Sequence, residues 1–320
     1  MTNPHRVLAL AGGVGGAKLA VGLAALLGER LTVLVNTGDD FEHLGLHVSP
    51  DIDTVVYTLA GIANPTTGWG IVDETWTFMD QVERLGGPTW FRLGDRDLAT
   101  HVTRTERLRR GDTLTAITAD FCRSFAIRPT VLQMSDDPIR TIIHSGGQTI
   151  AFQDYFVRQQ CAPKIYGLSF AGAETAKLNP RLDEMQGADR PLAVIICPSN
   201  PWLSVAPILA LPGIAARLKA FGVPIIAVSP IVGGRAIKGP TAKIMSELGL
   251  EPSASAIARH YAGLIDAFVI DRADAASADA IAALGIAVHQ AQTVMRTTHD
   301  SVALARECLA FAAALSDRSA

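Results

Sequence analysis

The chain has 320 residues, 48% of them hydrophobic and 18% charged, and carries a formal net charge of −3 from 28 Lys+Arg against 31 Asp+Glu. This composition excludes a disordered chain and is ample for a full hydrophobic core, and with no basic excess nothing points to a nucleic-acid partner. The four cysteines, Cys122, Cys161, Cys197 and Cys308, are scattered, with no CxxC pair and no histidine at zinc-ligand spacing, so they read as reduced thiols packed mostly as small hydrophobes.

Val7–Ala11 is an apolar run too short for a signal-peptide core, and Arg6–Ala11 reads as a buried first strand of a parallel sheet. Glycines at 12, 13, 15 and 16 follow, and then a helical periodicity over Lys18–Leu27 that ends at Gly28 as C-cap. Leu31–Asn36 is a second buried strand, which completes a β-loop-α-β unit of the nucleotide-binding kind. A helix is expected over Asp51–Ala60, with Ser49 as N-cap and Pro50 in its first turn. The stretch from about 64 to 187 holds most of the aromatic residues and loses the strand–helix alternation, so it reads as an inserted smaller subdomain. The alternation then returns: strands at Leu192–Cys197, Pro224–Val228, Ala267–Ile270 and Gly285–His289, and helices at Ile208–Ala220, Thr241–Leu248, Ala275–Leu284 and Ser301–Leu315. The expected fold is α/β, a Rossmann-like parallel sheet flanked by helices, in one domain spanning 1–320. No segment reaches the roughly 18–20 apolar residues of a membrane span, so a soluble, cytoplasmic protein is expected.

Several segments carry chemistry. Gly12, Gly13, Gly15 and Gly16 between a strand and a helix let the backbone approach a phosphate at the positive end of the helix dipole. The segment matches neither Walker A, because Lys18 is followed by Leu19, nor the GxGxxG dinucleotide pattern. The second strand runs into NTGDDFEHLGLHVSPDID, which brings Asp39, Asp40, Asp51 and Asp53 to the carboxyl edge of the sheet, where ligands of open α/β folds sit. Carboxylates beside a phosphate ester require an intervening cation, and hard, oxygen-liganded Mg²⁺ suits that role. Turn and cap chemistry is the competing explanation for these acids. In WFRLGDRDLATHVTR, Arg92, Asp95, Arg96, Asp97, His101 and Arg104 are either an anion-binding cluster or a salt-bridged helix face. MSDDP (134–138) reads as structural. CPSNP (197–201) presents Ser199 and Asn200 at a strand end, and SPIVGGRAIKGPTAK (229–243) is a glycine-rich basic loop at another. Three ligand-type loops converge on one edge.

Taken in order, GGVGGAKL, NTGDD, SPDIDT, GWGI, LGDRDLATH, MSDDP, FQDYFV, PSNP and SPIVGG with IKGP span Val7 to Arg296. Together they resemble the 2-phospho-L-lactate transferase family of coenzyme F-420 biosynthesis. The resemblance implies a Rossmann-like core with an insertion, Mg²⁺ as cofactor and a homodimer. It implies transfer of a phospho-acid from lactyl-, enolpyruvyl- or glyceryl-diphosphoguanosine to the ribityl hydroxyl of the acceptor 7,8-didemethyl-8-hydroxy-5-deazariboflavin, with release of GMP. Carried onto this chain, it assigns Asp53 and Arg92 to the deazaflavin, and Asp53 and Asp40 to catalysis. Gly12, Gly13, Gly15 and Gly16 are expected at the diphosphate, and Asp40, then Asp39, at Mg²⁺. Ser199, Asn200, Gly233, Gly234 and Lys238 are expected at the nucleotide. The alternative is a nucleotide-sugar-binding regulator of cell-wall or carbon metabolism with the same core. An NAD(P)-dependent oxidoreductase is disfavoured by the imperfect glycine pattern.

Overall fold

Successive residues of the first strand, β1 (Arg6–Ala11), enter two different cores: Leu8 and Leu10 pack on one side, Val7, Ala9 and Ala11 on the other. The same alternation runs through β2 (Leu31–Val35), β3 (Thr130–Gln133), β4 (Pro191–Ile196), β5 (Ile225–Val228), β6 (Ala267–Asp271) and β7 (Ala287–Ala291). A sheet covered on both faces explains why these strands read as continuous apolar runs rather than as polar–apolar alternation. This computed structural model describes residues 6–319. Its seven-stranded sheet is parallel throughout, in the order β7-β6-β5-β4-β1-β2-β3. The strand order reverses between β1 and β4, and a crevice at the carboxyl ends of the strands opens at such a point.

One face is covered by α1 (Gly13–Leu27), α2 (Pro50–Leu59) and the C-terminal helix, which runs over Thr298–Ser319. A Cβ on Gly22 would run into the Ser301 backbone, so this glycine is what lets α1 and the C-terminal helix touch. The other face is covered by the segments 139–185, 201–221 and 244–281.

Differences from the sequence reading have local causes. The stretch 64–187 is not wholly outside the core, because β3 pairs with β2 as the sheet's edge strand. The rest of that stretch holds α3 (Asp95–Arg109), α4 (Leu114–Ser124) and a small antiparallel sheet centred on Arg140–Ser145. The expected helix over 208–220 is broken into Ala206–Leu209 and Ile214–Ala220, because Pro212 cannot continue it and Gly213 takes φ +81°. The last strand starts two residues late, after Gly285 turns the chain at φ +78°. Among the described residues no single helix is long and apolar enough to cross a membrane.

Candidate active site

The first helix begins at Gly13, not at Lys18, so the glycines form its first turn rather than a loop before it. Close packing accounts for Gly12, Gly15 and Gly16, and a left-handed backbone for Gly13. Gly12 is extended at φ −161°, and a Cβ there would lie 2.6 Å from Ser204 Cβ and strike the Asp51 carboxylate. Gly13 needs φ +62°. A Cβ on Gly15 would strike the Pro198 carbonyl oxygen, and one on Gly16 would come within 2.5 Å of Ser199 Oγ. Glycine is a poor helix former, but close approach overrides that cost here. The end of α1 is thereby drawn against the PSNP loop at the point where the strand order reverses.

Two side chains hold this junction. Gly12 N–H donates to Ser199 Oγ at 3.1 Å, and Gly13 N–H donates to Asp51 Oδ1 at 2.7 Å. Asn36 Nδ2 donates to Asp51 Oδ2 at 2.9 Å, and Asn36 Oδ1 accepts from Gly38 N–H. Burial pushes the Asp51 carboxyl up to about 6 despite these donors. Burial raises Asp39 well above the carboxylate range, reinforced by the charge of Asp51, and its Oδ1 is buried without a hydrogen-bond partner.

A cavity of about 710 Å³ opens over this junction. Its edge along the sheet is formed by Gly12, Gly13, Gly15, Ser199, Asn200 and Lys18. The stretch 64–157 supplies an apolar wall of Trp69, Phe91, Phe152 and Phe156, and Asp39, Asp51, Asp53 and Asp97 line the same space. Asp53 is held by the fork of Arg104, whose Nη1 donates to Asp53 Oδ2 at 3.1 Å and whose Nη2 donates to Oδ1. Burial pushes the Asp53 carboxyl up, against the pull of Arg104 and His101. Tyr57 Oη donates to Asp97 Oδ1 at 2.6 Å, and His101 Nε2 lies 3.2 Å from Asp97 Oδ2. Burial works to raise Asp97, but the His101 ring and the Tyr57 hydroxyl outweigh it and hold the carboxyl low. Asp53, Asp97 and His101 could together bind a metal, yet the Arg104 guanidinium already supplies positive charge there.

The comparisons with known proteins agree on one family. The family model for 2-phospho-L-lactate transferase CofD matches residues 7–308. The chain is 38% identical to the phosphoenolpyruvate transferase of Streptomyces griseus subsp. griseus, over 96% of this chain and 98% of that protein. It is 36% identical to the 2-phospho-L-lactate transferase of Methanosarcina mazei, over 93% and 98%. The chain belongs to the CofD family. It is a transferase of that family, which serves coenzyme F-420 biosynthesis. A solved structure of a UPF0052-family protein from Bacillus halodurans matches 95% of this chain and 99% of its own with a TM-score of 0.61 at 15% identity, and so shares the fold.

Within this CofD-family chain the structure sorts the residues singled out in the sequence. Asp53, Arg92, Asp39, Gly12, Gly13, Gly15, Ser199, Asn200 and Lys238 all line the cavity. Gly16 does not, being packed behind Ser199. Asp40 is also outside the lining: its Oδ2 takes the Ser49 hydroxyl at 2.9 Å and the His47 ring at 3.1 Å, its Oδ1 is buried without a partner, and Asp39 is the one of the two that lines the cavity. Ser49 therefore precedes α2 without capping it through its side chain. Gly233 and Gly234 are absent from the lining, and the Gly233 N–H turns to Asp274; the loop reaches the cavity instead through Val232 on one side and Ile237, Lys238 and Gly239 on the other. Arg92 is half exposed and paired with Asp80 at 3.0 Å. Asp136 and Asp137 of MSDDP cap Thr115 and Lys177 backbone amides, the structural role read from sequence.

Asp51 carries no role in the sequence beyond its place at the sheet edge, Lys18, Tyr57 and the aromatic wall carry none, and Asp97 and His101 appear there only within a cluster that is either anion-binding or a salt-bridged helix face. The signal for Asp97, His101 and Arg104 was their spacing of four and three residues, which puts them on one face of α3.

Proposed function

We propose that this chain transfers a phospho-acid group from a guanosine diphosphate-activated acid to the terminal ribityl hydroxyl of 7,8-didemethyl-8-hydroxy-5-deazariboflavin. The hydroxyl oxygen bonds to the distal phosphorus, the phosphorus–oxygen bond to GMP breaks, and the hydroxyl proton passes to Asp53. The observation that carries this reading is one cavity with two unlike sides: a glycine, serine and lysine edge at a helix N-terminus, suited to a diphosphate, and a wall of Trp69, Phe91, Phe152 and Phe156, suited to a flat tricycle. Asn200 supports the nucleotide side, because its Nδ2 is buried without a partner while its Oδ1 accepts from the Trp202 and Leu203 amides. Lys18, which donates to the Met295 carbonyl at 2.8 Å, and Lys238, which donates to the Thr67 carbonyl at 3.2 Å, are the cations assigned to the phosphates. Arg92 is assigned to the deazaflavin.

Mg²⁺ fits the acidic edge. Asp39 and Asp51 are hard oxygen donors raised by burial, and the orphaned Asp39 Oδ1 lacks a positive partner. We assign these two residues to hold it, with Asp40 behind them. When bound, the ion supplies charge neutralisation at the diphosphate. The chain's own residues do the rest: the α1 amides and lysines align the donor, the aromatic wall excludes water, and Asp53 meets the attacking hydroxyl.

The test is incubation of the protein with Mg²⁺, the deazaflavin and each guanylyl donor in turn, read by mass spectrometry. The enolpyruvyl donor comes first, since relatives carry that name. The expected result is an acid-phosphodeazaflavin together with GMP from one donor, and loss of about 10²–10⁴-fold in kcat for Asp53→Asn. No product with any donor, together with tight binding of a UDP-sugar, would move the assignment to a nucleotide-sugar-binding regulator. Sedimentation of the protein tests the homodimer expected for the family.

A further inference from the structure

Arg104 is the largest fully buried side chain among the described residues, with no exposed surface. It stands in the middle of α3, and its partner Asp53 stands in the first turn of α2, 51 residues away. The guanidinium uses both terminal nitrogens on the two Asp53 oxygens. Its face lies 5.8 Å from the Phe121 ring centroid, and Nη1 also lies 3.3 Å from His101 Nδ1. Asp53, Asp97 and His101 line the cavity, but Arg104 does not: it sits behind Asp53, out of reach of any ligand there.

Joining two helices does not require such a pair. Burying a guanidinium and a carboxylate costs several kcal/mol per ion before their attraction returns it, and apolar side chains of similar volume often join elements as well or better. What the pair adds is direction. A fork on two oxygens fixes the plane of a carboxylate, whereas an ammonium holds only a point. We propose that Arg104 is a positioning residue of the transfer reaction, holding the plane of the Asp53 carboxylate so that a fixed oxygen meets the acceptor hydroxyl. This rests on the reading that Asp53 meets that hydroxyl, and it adds a residue that the resemblance to the family does not assign.

The experiment compares Arg104→Lys, Asp53→Asn and the double variant Asp53→Asn/Arg104→Gln by steady-state kinetics, thermal unfolding and GDP binding. Arg104→Lys keeps the charge and loses the fork. Its kcat falls about 10–100-fold, as expected for a displaced reacting group, while GDP affinity and the donor KM stay within about twofold of wild type. The double variant leaves no lone buried charge. With the effect of Arg104 on the rate carried by Asp53 rather than by the neighbouring His101 or His47 carbonyl, the double variant keeps a residual kcat within about threefold of Asp53→Asn alone, the non-additivity of a coupled pair. Arg104→Lys with wild-type kcat beside a disabled Asp53→Asn overturns the proposal. So does a further tenfold loss in the double variant, which also decides the matter if Arg104→Lys does not fold. An Asp53→Asn variant as active as wild type instead removes the role of Asp53 itself, and so separates that failure from this one.

Discussion

Gly12→Ala tests whether the junction between α1 and the PSNP loop is set by contact distance. The residue is extended at φ −161°, so alanine adopts its backbone without strain and the effect is purely steric. The new Cβ would stand 2.6 Å from Ser204 Cβ, 0.8 Å inside the 3.4 Å floor of ordinary contact. Ser204 Cβ belongs to the turn Pro201–Val205, which Asn200 anchors by accepting from two of its amides, so it has little room to retreat. Overpacking of this size costs about 1–3 kcal/mol, and the rigid neighbour puts Gly12→Ala at the upper end. For a chain of this length that lowers Tm by about 6 °C at roughly 2 °C per kcal/mol. The helix N-terminus must also shift by most of an ångström from the cavity edge, which costs about 10²-fold in transfer rate. Gly13→Ala is the control. Its Cβ would meet nothing nearer than Ser204 Oγ at 3.9 Å, so only the left-handed backbone strain at φ +62° remains, about 1–2 kcal/mol. Differential scanning calorimetry and transfer assays on both variants decide it. Gly12→Ala with wild-type Tm and rate, or Gly13→Ala the more damaging of the two, would refute the reasoning.

The metal-free protein should lose stability as pH rises from about 4 to 6. Asp51 titrates at about 6 when folded against 3.8 unfolded, so its ionisation penalty is absent at low pH and complete above 6, at about 3 kcal/mol for this group. Mg²⁺ should offset that penalty and raise Tm more at pH 7.5 than at pH 5; equal stabilisation at both pH values counts against Asp51 as a ligand. Lys238→Ala should weaken GDP about fivefold at low salt and progressively less as salt is added, the mark of an exposed cation. Titration calorimetry at two ionic strengths reads it, and an affinity unchanged at low salt removes Lys238 from the phosphates.

What the sequence determined by itself was most of the core strands and the edge on which their loops converge. Buried strands such as Val7–Ala11 and Leu192–Ile196 announce a parallel sheet covered on both faces, because local apolar runs record burial directly. Segments ending at Gly12, Asp39 and Pro198 mark the carboxyl edge, because turn chemistry is local too. What only the tertiary structure decided was which of two adjacent groups faces the ligand. NTGDD offers Asp39 and Asp40 on equal terms, and only the folded chain puts Asp39 in the cavity lining while Asp40 turns its Oδ2 to His47 and Ser49. The aromatic wall and the Arg104–Asp53 pair lie in segments far apart in the chain, and no local periodicity encodes a contact between residues 51 positions apart. Strand β3 escaped notice inside the inserted stretch for the same reason: four residues at a sheet's edge carry too short an apolar pattern, and only their pairing with β2 makes them part of the core.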